Sequence, residues 1–175
     1  MRKFITFIFI VSILICACTE SNKTAADWRK MEQALWNGQQ YTDPAKAIEY
    51  LDQALKLEPN NPETLNKKGT AYYNMGQYQR TVEMTTESIR LMPNYFWAYN
   101  NRGNAYANLR EFQKAIDDYN RVLQLKPDFT EAYNNRGTVY LLQGNVELGC
   151  RDVQKACALG NCKMAQEAIS KGYCR

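Results

Sequence analysis

The sequence contains no histidine, and this absence excludes several kinds of active site at once. Ser–His–Asp and Cys–His nucleophile pairs, His-ligated zinc and imidazole proton shuttles all require that side chain. No Gly-x-Ser-x-Gly elbow, phosphate-loop lysine or metal-binding helix motif occurs either. We therefore expect a protein that is not an enzyme and that needs no cofactor and no metal ion.

A large excess of charge of either sign is also missing. The chain has 22 Lys+Arg against 18 Asp+Glu, a formal net charge of +4. So small an excess does not make a nucleic-acid-binding surface, and no nucleic-acid partner is expected. Hydrophobic residues make up 45% of the 175 residues, which is typical of a folded chain of about one domain.

The sequence begins with a short hydrophobic stretch that is typical of an export signal. Arg2 and Lys3 precede an uncharged stretch, Phe4 to Ala17. A membrane-spanning helix needs about 20 apolar residues, which this stretch does not reach. It fits the hydrophobic region of a signal peptide covering residues 1–17.

The end of that stretch, Ile15-Cys16-Ala17-Cys18, resembles the lipobox of bacterial lipoproteins. The resemblance implies cleavage before Cys18 and its acylation, because small Ala17 precedes it, whereas Cys16 follows bulky Ile15. Residues 18–24 would then be a lipid-anchored linker to the bilayer. Thr19 replaces the Asp that resembles an inner-membrane retention signal, so the periplasmic face of the outer membrane is expected. An uncleaved anchor and plain secretion are the alternatives.

The rest of the chain repeats with a period of 34 residues. Three residue types keep this step: Gly69, Gly103 and Gly137; Tyr72, Tyr106 and Tyr140; Pro59, Pro93 and Pro127. The local strings NKKGTAYYNMGQY, NNRGNAYANLREF and NNRGTVYLLQGNV agree with it. The pattern resembles the tetratricopeptide repeat, a helix–turn–helix unit of this length. The resemblance implies an all-α solenoid in which each hairpin buries its apolar face against its neighbours.

The period also predicts the boundaries of the repeats. A degenerate repeat at 25–61 (repeat 1) precedes three full 34-residue repeats, which start at 62, 96 and 130 (repeats 2, 3 and 4). In the degenerate repeat, Trp28, Met31 and Leu35 are expected on the first helix, and Pro44 in the first turn of the second helix. The solenoid then covers residues 25–161. A capping helix over 162–173, within a C-terminal segment 162–175, closes it.

Two arginines and two aspartates share one spacing. Arg102 lies 16 residues before Asp118, and Arg136 lies 16 residues before Asp152. The identical offset predicts an ion pair between the two helices of each repeat. Repeat 2 departs from this pattern, because Lys68 stands opposite Met84.

The last repeat and the segment after it contain four cysteines: Cys150, Cys157, Cys162 and Cys174. Cys150 and Cys157 are about 10.5 Å apart on one helix, which is too far for a disulfide. In a hairpin that turns near Gly160, the register favours the nested pairs Cys157–Cys162 and Cys150–Cys174. The string KACALGNC also resembles Sel1-like repeats, whose cysteines bridge adjacent helices. Zinc is the alternative, but paired CxxC spacing is absent.

In the tetratricopeptide family the first helices of the repeats line a concave groove through repeat positions 2, 5, 9 and 12. The matching residues here include Asn66, Thr70, Tyr73, Trp97, Asn100, Asn104, Asn134 and Thr138. Three of them form an asparagine ladder, Asn66, Asn100 and Asn134, able to hydrogen-bond an extended peptide. The alternative is that these amides are simply solvated or bond between repeats. Basic residues are absent from these positions, so a carboxylate clamp is not expected.

The resemblances together predict a membrane-anchored adaptor in the bacterial cell envelope. It would bind a partner peptide or helix in its groove and aid assembly of an envelope complex. A structural spacer without a peptide ligand is the alternative. The sequence leaves the partner, the leaflet and the oligomeric state open.

Overall fold

The computed structural model describes residues 22–174, which form nine helices and no strand. In chain order the helices are α1 (Ala25–Gln33), α2 (Pro44–Leu57), α3 (Pro62–Asn74), α4 (Tyr78–Leu91), α5 (Phe96–Asn108), α6 (Phe112–Leu125), α7 (Thr130–Leu142), α8 (Val146–Ala158) and α9 (Lys163–Ser170). The predicted all-α fold is confirmed. The predicted signal peptide and Cys18 lie outside the described residues. Across residues 22–174, no helix is both long and apolar enough to cross a bilayer.

The chain divides into two compact units, the first ending at Pro59 and the second beginning at Asn60. The first unit contains the hairpin of α1 and α2. The Thr24 hydroxyl accepts a bond from the Asp27 backbone N–H, and the Asp27 carboxylate accepts one from the Thr24 backbone N–H. This reciprocal cap fixes the start of α1. Pro44 occupies the first turn of α2, as predicted, and Trp28 packs against Ala54 in the core.

The connection between α1 and α2 departs from the sequence-based prediction. Leu35 lies beyond the end of α1, so its predicted place on that helix is wrong. Asn37 draws the chain into a turn, since its Oδ1 accepts bonds from the backbone N–H groups of Gln39 and Gln40. The turn brings buried Tyr41 to the buried carboxylate of Glu32, to which its hydroxyl donates. A buried carboxylate requires such a donor, and this tertiary contact ends the helix early.

The second unit consists of three helix pairs, α3–α4, α5–α6 and α7–α8, followed by α9. The helices of each pair pack together, and each second helix also packs against the next helix in the chain. The first helices of successive pairs are in contact, α3 with α5 and α5 with α7. Neighbouring pairs share a core, in which Ala115 and Tyr119 of α6 contact Val139 of α7. This nearest-neighbour packing is that of a repeat protein.

The first helix of each pair ends in the same left-handed turn. Gly76 and Gly144 have φ of 71° and 81°, and Arg110 holds the equivalent position with φ of 62°. At each turn the next residue's N–H reaches back to a carbonyl five residues earlier, as in the bond from Glu111 to Tyr106. Glycine adopts this conformation without a steric penalty, whereas a residue with a Cβ atom incurs one.

The helices of the pairs approach closely at a glycine on each first helix. A Cβ at Gly103 would lie 2.8 Å from Cε1 of Tyr119 on α6. At Gly137 it would lie 3.0 Å from the carbonyl oxygen of Gly149 on α8. The 34-residue period of these glycines thus marks where the first helix of a pair lies against atoms of the second helix with no room for a side chain.

The C-terminal cap is shorter than predicted, because α9 ends at Ser170 rather than near residue 173. Gly172 has φ of 74° and turns the chain, and the Tyr173 N–H bonds to the Ala168 carbonyl. The turn delivers Cys174 to α8. Disulfides join Cys150 to Cys174 and Cys157 to Cys162, with Cα–Cα distances of 5.5 and 3.9 Å. These are the pairs that the hairpin register favours.

Candidate groove of the helical repeats

The two arginine–aspartate pairs form as predicted, and their role is structural. Arg102 donates through Nε and Nη2 to the two carboxylate oxygens of Asp118, each at 2.8 Å. Arg136 does the same to Asp152, at 2.7 and 2.8 Å. The bond from Asp152 raises the pKa of Arg136. Both aspartates are buried, so each pair connects the two helices of its repeat.

Each arginine also reaches the preceding repeat. The Arg102 Nη1 donates to the Thr86 hydroxyl of α4 at 3.1 Å, and the Arg136 Nη1 donates to Oδ1 of Asn120 on α6. Each guanidinium therefore contacts three helices. The sequence carries a signal for this, since Thr86 and Asn120 lie one 34-residue period apart. Three of the five N–H donors of each guanidinium are thus engaged within the protein, which favours a structural role for both arginines.

The predicted asparagine ladder lies beneath the groove surface. Asn66, Asn100 and Asn134 are each 6% exposed. Oδ1 of Asn66 accepts a bond of 2.9 Å from Nδ2 of Asn101 in the next repeat. Among the described residues, Oδ1 of Asn100 and of Asn134 find no donor. Burial of these side chains counts against a row that is open to a ligand, and at Asn66 the bond from Asn101 is the contact between repeats that the alternative interpretation expects.

The asparagines that connect the repeats are Asn101 and Asn135, which were not among the predicted groove residues. Nδ2 of Asn101 also donates to the Thr70 hydroxyl at 3.1 Å, and Nδ2 of Asn135 donates to Oδ1 of Asn104 at 2.9 Å. These two donors are one period apart and each follows a ladder asparagine. Their role depends on how close the first helices of neighbouring repeats lie in space. The spacing of residues along the sequence does not give that distance.

A depression of about 240 Å³ lies where the C-terminal halves of α3, α5 and α7 are side by side. Its walls combine polar and apolar side chains: Tyr73, Asn104, Ala107, Asn108, Tyr119, Asn135, Thr138, Val139 and Leu142. Buried Tyr119 and Val139 belong to the hydrophobic core, and Leu142 is 65% exposed. The volume corresponds to about eight water molecules, which is enough for one or two amino-acid side chains.

The structure brings three of the predicted groove residues to this depression, namely Tyr73, Asn104 and Thr138. Asn108, Asn135 and Leu142 join them. Trp97 and Thr70 are not among the lining residues. Trp97 lies near the other end of α5, seven residues or about 10 Å along the helix from Asn104.

Trp97 is 43% exposed and packs on an aromatic cluster. Its ring centroid is 4.8 Å from that of Phe96 and 5.1 Å from that of Phe129, which it meets edge-on. Buried Phe129 precedes α7, so the cluster joins repeats 3 and 4. Because part of its indole ring is exposed, Trp97 is a second candidate for contact with a partner protein, apart from the depression.

The hydroxyl groups around the depression stay protonated. Burial raises the pKa of Tyr73, although a hydrogen bond from Asn108 opposes it, and burial raises the pKa of Tyr119 as well. The Tyr119 hydroxyl donates to Oδ1 of Asn104 at 2.8 Å, and Nδ2 of Asn108 donates to the Tyr73 hydroxyl at 2.9 Å. A network of neutral amides and phenols therefore lines the depression.

Metal-binding side chains do not cluster in this chain as far as it is described. No group of three or more Cys, Asp or Glu residues suited to a metal ion occurs in residues 22–174. The four described cysteines are consumed by the two disulfides.

Comparison with known families decides what the repeats are. The tetratricopeptide repeat matches residues 96–129, and a second description of the same repeat matches residues 45–76. The chain is a tetratricopeptide-repeat protein. The match at 96–129 coincides with the predicted third repeat. Among curated proteins the sequence comparison finds no relative.

Solved structures of other tetratricopeptide-repeat (TPR) proteins share the fold. MamA 41-end from Desulfovibrio magneticus RS-1 is 27% identical, with a TM-score of 0.73 over 85% of this chain and 86% of that one. The Arabidopsis OM64 TPR domain is 28% identical, with a TM-score of 0.61 over 63% and 92%. The first TPR of Spaghetti (RPAP3), bound to the HSP90 peptide SRMEEVD, is 22% identical, with a TM-score of 0.65 over 69% and 94%. At that identity the last likeness concerns the fold alone.

Proposed function

We propose that this TPR protein is a membrane-anchored adaptor that holds a segment of a partner protein in the depression between α3, α5 and α7. The observation that carries the proposal is the combination of an open concavity, exposed apolar Leu142 and a surrounding row of neutral hydrogen-bonding groups. Such a mixture of apolar anchor and polar rim is typical of peptide-binding surfaces. That TPR structures include a peptide complex supports a protein partner.

The membrane anchor is the second part of the proposal. It rests on the lipobox-like sequence Ile15-Cys16-Ala17-Cys18 and on the basic residues Arg2 and Lys3. Two or three acyl chains on Cys18 hold a protein stably on a bilayer. The residues between Cys18 and α1 span under about 25 Å even when extended, so the start of α1 stays close to the lipid surface. The adaptor would aid assembly of an envelope complex at the outer membrane.

Site-specific photocrosslinking in the native envelope tests the partner. A photoreactive residue replaces Leu142 in the full-length protein, and in parallel Trp97. Exposed Gln113 of α6, which lies outside the depression, is the control position. Capture of one protein from Leu142 and not from Gln113 supports the adaptor. Capture from neither Leu142 nor Trp97 contradicts it.

The anchor is tested separately with Cys18→Ala. The full-length variant is expected to move from the membrane fraction to the soluble fraction, or to remain as an unprocessed precursor. A variant with Cys16→Ala is the control and should stay in the membrane fraction. A Cys18 variant that is still processed to the mature length and stays in the membrane fraction would contradict lipidation at this site.

A structural spacer is the second candidate function, and one observation favours it. Thr70, Asn104 and the buried ladder asparagine Asn66 each accept a hydrogen bond from an asparagine of the next repeat. A spacer would tolerate every substitution in the depression that leaves the fold intact. The photocrosslinking experiment separates the two functions, because a spacer presents no ligand to Leu142.

A further inference from the structure

The depression contains no charge. Among the described residues that line it, none is acidic or basic. The cations of α5 and α7, Arg102 and Arg136, are each bound by two hydrogen bonds to an aspartate, and Lys67 and Lys68 of α3 are not among the lining residues. A carboxylate or an ammonium group entering the depression would therefore lose water without gaining an opposite charge, which is costly.

The depression does contain hydrogen-bonding groups with spare capacity. Oδ1 of Asn104 accepts two bonds, from Tyr119 and Asn135, while its Nδ2 group has no acceptor among residues 22–174. Oδ1 of Asn108 receives no donor from the described residues, and the Tyr73 hydroxyl accepts from Asn108 without donating to any of them. Donors and acceptors thus stand side by side, as they do along a polypeptide backbone.

The spacing of these groups suits an extended strand. Asn104 and Asn108 lie four residues apart on α5, so their Cβ atoms are about 6 Å apart. Alternate residues of an extended chain are about 6.6 Å apart. Ala107, Val139 and exposed Leu142 supply an apolar border to the same depression.

From these observations we infer that the occupant of the depression is an uncharged, extended, internal segment of a partner polypeptide, with an aliphatic side chain against Leu142. Internal means that neither a terminal carboxylate nor a terminal ammonium enters the depression. This inference rests on the proposed function and adds the chemistry of the ligand to it. The Nδ2 group of Asn104 donates to a backbone carbonyl of the segment, and Oδ1 of Asn108 accepts a backbone N–H.

The substitution Asn104→Asp distinguishes the proposed contact with the ligand from the hydrogen bonds that Asn104 makes within the protein. Aspartate has the same shape and keeps an oxygen for the Tyr119 and Asn135 donors, but it removes the spare Nδ2 donor and adds a charge. Asn120→Asp is the matched control. It makes the same chemical change on α6, outside the depression, and keeps the acceptor for Arg136.

The test uses the full-length protein in isolated native membranes, with the photoreactive residue at position 142. We expect Asn104→Asp to reduce the yield of the adduct about tenfold, Asn120→Asp to leave it within twofold, and a change from low to high salt to leave it unaltered. Mass spectrometry of the adduct is expected to place the crosslink in an internal segment without Asp, Glu, Lys or Arg at the captured residue and its two neighbours on each side.

Each outcome has one meaning. A captured segment that is charged or terminal, or a yield that falls steeply with salt, overturns the inference and leaves the adaptor function standing. An Asn104→Asp adduct as abundant as that of the parent protein also overturns it. The absence of any adduct from positions 142 and 97 overturns the adaptor function itself, and the inference with it.

Discussion

Repeats 2 and 3 have the same helical hairpin but opposite kinds of interior. In repeat 2 the buried inward positions hold hydroxyl groups: Thr64, Thr81, Thr85 and Ser88. One period later the same positions are Ala98, Ala115, Tyr119 and Val122, also buried. The fold thus requires closely packed side chains between the two helices of a repeat. Hydroxyl-bearing residues meet this requirement in repeat 2, and apolar and aromatic residues meet it in repeat 3.

Three of the four hydroxyl groups of repeat 2 donate to backbone carbonyls, and the fourth, that of Thr64, donates to Oδ1 of Asn61. The Thr81 hydroxyl donates to the Gly69 carbonyl of the facing helix at 3.1 Å, and the Ser88 hydroxyl donates to the Pro62 carbonyl at 2.7 Å. Repeat 3 has the aromatic ring of Tyr119 against Gly103 and the ion pair of Arg102 with Asp118 instead. Many modest hydrogen bonds in one repeat correspond to a few large contacts in the other, so single substitutions should affect repeat 3 more.

The largest difference is expected at the position shared by Thr85 and Tyr119. Tyr119→Ala should lower the free energy of unfolding by about 3–5 kcal/mol, because it empties a large buried site. Thr85→Ala should cost about 1 kcal/mol, the value of a hydrogen bond that is lost with its donor. Chemical denaturation followed by circular dichroism measures both. Tyr119→Phe is the control, with an expected cost of about 1 kcal/mol, and equal costs for the two alanine variants would contradict the comparison.

The next effect concerns the ion pair that repeat 2 lacks. Arg102→Ala should cost about 2–4 kcal/mol, because it leaves the carboxylate of Asp118 buried without its partner. The double variant Arg102→Lys, Asp118→Met copies the pair Lys68 and Met84 of repeat 2. It should be less destabilised than Arg102→Ala in the same denaturation experiment, since no buried charge is orphaned. A double variant that unfolds more easily than the single one would show that the pair itself, and not the orphaned charge, dominates.

A smaller difference is expected at the helix-contact glycines. A Cβ at Gly103 meets the Tyr119 ring at 2.8 Å, whereas a Cβ at Gly69 meets the Thr85 methyl group at 3.0 Å. Gly103→Ala should cost about 1–2 kcal/mol from overpacking. Gly69→Ala should be close to neutral, because the gain of about 1 kcal/mol in helix propensity offsets a small methyl shift. Thermal unfolding of both variants checks this, and a melting temperature lowered more by Gly69→Ala would reverse the expected order.

The smallest effect is expected at the turns that end α3 and α5. Arg110 adopts φ of 62° where repeat 2 has Gly76. Arg110→Gly should therefore raise the free energy of unfolding by about 1 kcal/mol, because glycine adopts the left-handed conformation without the Cβ clash. Gly76→Arg should lower it by a similar amount. Loss of stability in Arg110→Gly would mean that the arginine side chain contributes more than its backbone strain.

Sequence reasoning predicts the repeated part of this molecule well, since period and helix length leave few alternatives. The helices of repeats 2 to 4, the arginine–aspartate pairs and the glycine contacts all follow from spacing along the chain. The prediction for Leu35 is wrong because the buried bond between Tyr41 and Glu32 holds the loop of the degenerate repeat, which departs from the 34-residue period. Contacts of this kind have no periodic signal.

The candidate site is less predictable than the fold. Spacing identifies Tyr73, Asn104 and Thr138, which line the depression, but it equally selects Asn66, Asn100 and Asn134, which are buried. The difference depends on how far each repeat is rotated against the next, and that rotation is set by packing rather than by the period. Asn108, Asn135 and Leu142 become visible as site residues only when three helices are seen together.

The disulfide between Cys150 and Cys174 determines how a pulling force would travel through the C-terminal cap. Tension applied beyond Cys174 passes across the sulfur bridge directly to α8. The segment between the two cysteines, which are separated by 24 positions and enclose α9, carries none of the load. While the bridge is intact, a translocating motor that engages this end must therefore extract a helix of the third full repeat before it can unravel the cap.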